Sequence, residues 1–142
     1  MNDIPLVDRL DIQALVAEYS FRCDTKSFDA IHELFAEDCE FDETVLGMPV
    51  AIGRDGVRRY FSAFGSPDTP VEWFMHFNGN QRFTAFDGDT ASGTSHLHAE
   101  GHLKSGGPAR ILGYMADDYV KVAGIWRFRK RVLVAIAPVI GF

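Results

Sequence analysis

The sequence is poor in cysteine, and it contains neither a long apolar run nor a secretion signal. Cys23 and Cys39 do not have the close spacing of metal-binding cysteine pairs, so we expect two free thiols. Residues 1–10 have no basic segment followed by an apolar one. The apolar run at residues 132–142 is too short to span a bilayer. These absences predict a cytoplasmic protein that does not enter the membrane.

The sequence also lacks the excess of basic residues that nucleic-acid binding requires. Its net charge is −6 at pH 7, and the basic residues form a single cluster near the end of the chain. That cluster consists of Arg127, Arg129, Lys130 and Arg131. A protein that neutralises several phosphates needs a continuous basic surface. We therefore predict no nucleic-acid partner.

Hydrophobic and aromatic residues are abundant. The chain has 142 residues, of which 46% are hydrophobic and 24% charged, as is typical of globular proteins. This length predicts one domain over residues 1–142. The 12 phenylalanines must fill a core, line a cavity or lie in a subunit interface.

Helices are predicted in the first half of the chain. Apolar residues at helical spacing indicate a first helix, with Asp8 as its N-cap. These apolar residues are Ile12, Leu15, Val16, Tyr19 and Cys23. A short second helix is expected over residues 28–35, with Ser27 as N-cap, and a third over 55–64.

Strands are predicted mainly in the second half. After a first strand at 39–44 and a loop or short edge strand at 47–53, four long strands are expected at 71–86, 90–104, 109–122 and 125–137. The breaks between the long strands contain the Gly, Asp and Pro residues that tight turns need. Helices followed by a meander of strands predict an α+β fold, in which a strongly curled, mainly antiparallel sheet and three helices enclose a pocket.

His76 is a polar residue in a run too apolar to face solvent, between Met75 and Phe77. Asp24 ends the first predicted helix, which could carry it to His76 if that end points into the sheet. A carboxylate that accepts one ring N–H makes the other ring nitrogen a better base. Two interpretations stay open: a catalytic pair, or a hydrogen-bonded core histidine with an unrelated polar residue at the helix end.

The second long strand carries alternating polar residues on one face. They are Thr94, His96, His98, Glu100 and His102. A solvated face is the favoured interpretation for His96 and His98. A metal site is the alternative, because the spacing gives three histidines one direction. Nothing else in the sequence supports such a site, so we predict no metal and no cofactor.

Three segments resemble one known family. The segments are residues 19–29 with 34–38, the run 76–80 that begins at His76, and residues 124–128 around Trp126. They resemble parts of SnoaL-like polyketide cyclases, scytalone dehydratase and hexachlorocyclohexane dehydrochlorinase. The resemblance extends from about residue 8 to residue 137. It implies the cone-shaped NTF2-like fold and a homodimer or homotrimer.

The resemblance also implies roles for individual residues. Asp24 and His76 match the catalytic dyad, and His102 matches a second active-site histidine that would act as general acid. We also expect residues that contact a small hydrophobic or aromatic ligand: Tyr19, Asn80, His98, Tyr114, Trp126 and Arg131. Where scytalone dehydratase has residues that polarise its substrate, this chain has Cys23, Asp42, Gly113 and Met115. Scytalone is therefore not the expected substrate.

These features favour an enzyme over a binding protein. The predicted activity is that of a cofactor-independent lyase, isomerase or cyclase, in which His76 abstracts a proton. One alternative is a non-catalytic ligand-binding module, like the small subunit of ring-hydroxylating dioxygenases. Another alternative is an epoxide hydrolase that uses Asp24 and Asp42. The apolar tail is expected either to close the pocket mouth or to contact another subunit.

Overall fold

A computed structural model of the chain describes residues 3–142. It contains two α-helices, α1 (Leu6–Asp24) and α2 (Gly53–Phe64). It also contains six strands: β1 (Phe35–Asp42), β2 (Ala51–Ile52), β3 (Val71–Asp87), β4 (Thr90–Leu103), β5 (Pro108–Val122) and β6 (Ile125–Ala135). The α+β class predicted from the sequence is confirmed. Within the described residues, no helix combines the length and apolarity needed to cross a membrane.

The six strands form one curved, mixed sheet in the order β2-β1-β6-β5-β4-β3. All neighbouring strands are antiparallel except β1 and β6. The pairing of β3 with β4 shifts register between Gly79 and Arg82 and again between Phe83 and Ala85. Such irregularities bend and twist strands. The long strands therefore curl around the helices, and β3 is left at an edge of the sheet.

An aromatic cluster fills the space between the helices and the concave face. Tyr19 of α1 is at its centre, with ring centroids 5.8–6.2 Å from those of its four aromatic neighbours. These neighbours are Phe35, Phe41, Phe61 and Phe128. Each favourable aromatic pair contributes about 0.5–1.5 kcal/mol beyond its buried area. Several of the 12 phenylalanines thus fix α1 against the sheet.

The start of α1 differs from the prediction. The helix begins at Leu6, directly after Pro5, and Asp8 is therefore not its N-cap. The Asp8 carboxylate instead accepts a hydrogen bond of 2.9 Å from the indole N–H of Trp126 and forms an ion pair with Lys121. Both contacts are made by Oδ1, so the Asp8 side chain is directed to the sheet and not to the N-terminus of the helix.

The prediction of a second helix over residues 28–35 is wrong. The chain forms turns and then a short 3-10 helix (Ile31–Leu34), and Phe35 already belongs to β1. A segment this short has little helical stability of its own. Tertiary contacts determine its path instead: Ile31 is buried, and the Arg22 guanidinium donates to the Ala30 carbonyl oxygen at 2.7 Å. Residues 3–142 therefore contain two α-helices rather than three.

The four long strands lie where they were predicted, with ends that differ by at most two residues. Turns at the predicted breaks use positive backbone φ angles at Gly88, Gly106, Gly107 and Gly124. Of the two expected outcomes for residues 47–53, a short edge strand, β2, is observed. Sequence signals for turns were therefore sufficient to divide this half of the chain into strands.

Gly101 of β4 offers a test of how tightly β3 packs on the concave face. A Cβ atom at this position would lie 2.4 Å from the Phe74 ring and 2.4 Å from the Trp73 carbonyl oxygen. We expect Gly101→Ala to lower the free energy of unfolding by about 1–3 kcal/mol, because the strands must separate to admit the methyl group. Urea denaturation measures this change. Gly79→Ala in β3 is the control, because no atom lies within 4 Å of the added carbon.

Candidate active site

Asp24 and His76 form a direct pair. The Asp24 Oδ1 atom lies 2.6 Å from His76 Nδ1. The backbone N–H of His76 also donates to the same carboxylate, at 3.2 Å from Oδ1 and 3.1 Å from Oδ2. The side chains are 22% and 16% exposed, respectively. One carboxylate thus holds both the ring and the backbone of the histidine.

The fold positions the pair at the junction of a helix end and a sheet edge. Asp24 is the last residue of α1, and Lys26 then turns the chain with a positive φ of 61°. The Lys26 ammonium group donates to the carbonyl oxygen of Glu72 in β3 at 2.8 Å. His76 is in the middle of the apolar run of β3. Two independent links, one to a carbonyl and one to a histidine, hold the end of α1 against this strand.

A cavity of about 420 Å³ opens beside the pair. Most of its wall is apolar, contributed by α2, by the sheet and by the loop before β1. Apolar residues that line it include Phe28, Phe61, Phe64, Phe74, Ile111 and Phe142. His76 Nε2 has no hydrogen-bond partner among residues 3–142. The arrangement combines an oriented imidazole with space for a ligand of small size.

Glu43 is a second acid in the same cavity, and no pattern in the sequence points to it. Its Oε2 atom lies 3.1 Å from the Tyr60 hydroxyl. Burial raises the pKa of the Glu43 carboxyl, although the nearby His76 acts in the opposite direction. Burial also raises the pKa of the Cys23 thiol far above its ordinary value. Cys23 is therefore a neutral part of the wall, and Glu43 adds a carboxyl group whose charged form is disfavoured by burial.

The sequence matches the model of the SnoaL-like domain over residues 5–132, which is most of the chain. The chain belongs to the SnoaL-like family. An uncharacterised protein of Mycobacterium tuberculosis is 30% identical over 132 residues, covering 88% of this chain and 83% of that protein. The family suggested by the three sequence segments is thus confirmed.

Two solved structures from Novosphingobium aromaticivorans are similar to this SnoaL-like chain. A provisionally assigned aromatic ring hydroxylase has a TM-score of 0.89 and 27% identity, with coverage of 99% of this chain and 96% of that one. A provisionally assigned scytalone dehydratase has a TM-score of 0.82 and 25% identity, with coverage of 93% and 86%. Both support the NTF2-like fold.

His98 and His102 are not brought into the cavity. Both are on the convex face of β4, because the buried residues Ala99 and Gly101 occupy the concave face. His98 contacts Glu100 at 3.2 Å, and His102 Nδ1 lies 2.9 Å from Glu72 Oε2. The expectation that His102 is a general acid beside the dyad is therefore wrong in its geometry. His96 and His98 form the exposed face that was favoured for them.

Three further predicted ligand residues lie away from the cavity. Tyr114 is half-buried on the convex side of β5, and Trp126 is buried against Asp8. Asn80 adopts a positive φ of 50° at the irregular part of β3 and lines a second depression, between α1 and that strand, whose wall also includes Asp24 and His76. Of the predicted ligand residues, Tyr19 alone lines the cavity of about 420 Å³.

Arg131 is a structural cation rather than a cavity residue. Its side chain is fully buried and pairs with the equally buried Asp117, at 3.1 Å between Nε and Oδ1. The guanidinium also lies 4.3 Å from the Tyr19 ring centroid and 4.2 Å from that of Phe128. Burial raises the pKa of Asp117 to about 6, against the attraction of Arg131. The guanidinium of this buried pair therefore packs against two rings of the aromatic cluster.

The apolar tail lies at the cavity. Residues Arg110 and Ile140 form a backbone bridge through hydrogen bonds of 2.9 and 3.1 Å. The Phe142 ring then packs edge-on against Phe74, with 5.7 Å between centroids, and lines the cavity. The Phe74 ring in turn packs against the His76 ring, with 5.2 Å between the ring centroids. The tail therefore supplies part of the wall next to the dyad.

Within residues 3–142, no cluster of three metal-binding side chains is present.

The buried position of Arg131 leads to a stability prediction. We expect Arg131→Met to lower the free energy of unfolding by about 3–5 kcal/mol, because it leaves Asp117 buried without its cation. Arg129→Met, on the same strand, removes an exposed ion pair with Asp38 and should cost less than about 1 kcal/mol. Urea denaturation of both variants measures the difference. Equal stabilities would contradict the structural role of Arg131.

Proposed function

We propose that the protein is a cofactor-independent lyase or isomerase in which His76 removes a proton from a small hydrophobic ring compound. The observation that carries the proposal is the 2.6 Å contact between Asp24 and His76 at the wall of an open cavity. A structural histidine would instead be enclosed by packed side chains. The partial exposure of the imidazole supports a role in chemistry.

We assign different tasks to the two residues. The Asp24 carboxylate accepts the Nδ1 proton, which fixes the neutral ring with a lone pair on Nε2. The same carboxylate stabilises the imidazolium that forms when Nε2 accepts a proton. General base assistance of this kind accelerates a reaction roughly 100- to 10,000-fold. Asp24 therefore orients and stabilises, and His76 transfers the proton.

The cavity indicates the class of substrate. Its volume of about 420 Å³ is within the usual range for small-molecule sites, roughly 300–1,000 Å³. Its aromatic wall suits a ring compound, and the few polar groups within it can orient a carbonyl or hydroxyl group. A proton next to a carbonyl is acidic enough for an imidazole to remove. We therefore propose a cyclic carbonyl compound of modest size.

The similar proteins support chemistry on a ring compound. The relation to a provisionally assigned scytalone dehydratase favours loss of water after proton removal. A provisionally assigned aromatic ring hydroxylase is also similar. A non-catalytic ligand-binding role stays the second candidate. The open cavity beside His76 favours the lyase. The epoxide hydrolase alternative gains no support, because Asp42 binds the backbone and hydroxyl of Thr44 outside the cavity. The cytoplasmic location and the homodimer or homotrimer stay predictions.

Hydrogen exchange tests proton removal without knowledge of the natural substrate. We expect the protein to catalyse the exchange of the protons next to the carbonyl of 2-tetralone in D₂O, followed by ¹H NMR. His76→Gln should slow the catalysed exchange roughly 100- to 10,000-fold, because the amide is not a base. Asp24→Asn should also slow it, since the orientation of the ring is lost.

The matched control is His98→Gln, which changes a histidine on the convex face of the sheet. This variant should exchange 2-tetralone protons at the rate of the unaltered protein. An unchanged exchange rate in His76→Gln would contradict the proposed function.

A further inference from the structure

Glu43 shares the cavity with the dyad but is supplied by a different part of the chain. It follows β1 and precedes the 3-10 turn Thr44–Leu46. The side chain lines the cavity, and its carboxyl contacts the Tyr60 hydroxyl of α2 at 3.1 Å. No lysine or arginine forms an ion pair with it within residues 3–142. The group is thus an acid placed among aromatic rings, in the same space as the imidazole.

The surroundings of Glu43 disfavour its charged form. Burial is the largest influence and raises the pKa of the carboxyl. The groups that act against burial are His76 of β3, Tyr60 of α2, Arg131 of β6 and Tyr19 of α1. Cys23 of α1 also lies near, as a neutral thiol. A carboxyl that retains its proton can donate that proton to a ligand, which an ionised one cannot.

We propose that Glu43 is the general acid of this site and protonates an oxygen leaving group while His76 removes a proton from carbon. The inference rests on the proposed function of His76. It assigns the second half of the reaction, for which the sequence suggested His102. The positions of the two groups support it, since both line the cavity that would hold the substrate.

The proposed reaction moves one proton to His76 and one proton from Glu43. Nε2 of His76 accepts the proton next to the carbonyl, and the electron pair of that C–H bond becomes the new C=C bond. The C–O bond to the hydroxyl group on the adjacent carbon breaks, and its electron pair leaves with the oxygen. The Glu43 proton joins this oxygen to form water. The site is left with an imidazolium and a carboxylate, and transfer of one proton between them restores the starting state.

This assignment narrows the substrate class to cyclic β-hydroxy carbonyl compounds. Hydroxide is a poor leaving group and needs a proton from an acid, whereas chloride leaves without one. Glu43 in its protonated form therefore favours dehydration over loss of halide. The arrangement also predicts that the rate falls as the pH rises through the pKa of Glu43, because the acid then loses its proton.

The first experiment measures protonation directly. The protein is labelled with ¹³C at the glutamate side-chain carboxyls, and NMR follows each signal with pH. The signal lost in Glu43→Gln should titrate at higher pH than the signal lost in Glu37→Gln, an exposed residue of β1. Tyr60→Phe should raise the Glu43 titration further, because the hydroxyl no longer stabilises the carboxylate. A Glu43 signal that titrates with the exposed glutamates overturns the proposal.

The second experiment compares two leaving groups on one ring. The probes are 3-hydroxycyclohexanone and 3-chlorocyclohexanone, both of which give cyclohexenone, detected by its ultraviolet absorbance. Glu43→Gln should lower the hydroxyl-to-chloride rate ratio roughly 100- to 10,000-fold. Tyr60→Phe should move the alkaline decline of the hydroxyl reaction to higher pH. Circular dichroism checks that each variant is folded.

The outcomes separate this inference from the proposed function. An unchanged rate ratio in Glu43→Gln overturns the role of Glu43 alone, as does a protein that eliminates chloride but not water. A protein that reacts with neither ketone and exchanges no 2-tetralone proton contradicts the proposed function itself, and the inference with it.

Discussion

The carboxylate of Asp24 holds the end of α1 and the edge strand β3 together through the ring and the backbone N–H of His76. These contacts bridge residues far apart in sequence, so they depend on the whole fold being assembled. The same contacts also fix the imidazole at the cavity wall in one orientation. The same carboxylate thus links packing to chemistry, since changes that displace α1 would also displace the base.

The strands of the second half could be predicted because each boundary has a local cause. Gly88, Gly106 and Gly124 permit backbone angles that other residues avoid, and these positions end the strands wherever the fold places them. The segment before β1 has no such signal. Its apolar residues suit a helix, but Ile31 and the carbonyl of Ala30 are held by distant partners. Tertiary contacts therefore override local propensity there.

The site was predictable only in part. A helix end and a polar residue in an apolar strand are both visible in sequence, but they left the pairing of Asp24 with His76 open, and the family resemblance decided it. Alternation along β4 grouped the histidines correctly, but it does not reveal which face is concave. The small residues Ala99 and Gly101 take that face, and His102 is left outside. Glu43 follows a strand in a loop, where no periodicity indicates direction, so only the three-dimensional structure identifies it.

The position of β3 at the sheet edge has a consequence for association between molecules. An unpaired edge strand exposes N–H and C=O groups to which the strand of another chain can add, and this is a route to aggregation. At His76 the outward backbone N–H is already bound by Asp24, and the Glu72 carbonyl oxygen is bound by Lys26. The residues that place the imidazole thereby also act as gatekeepers against intermolecular β-pairing.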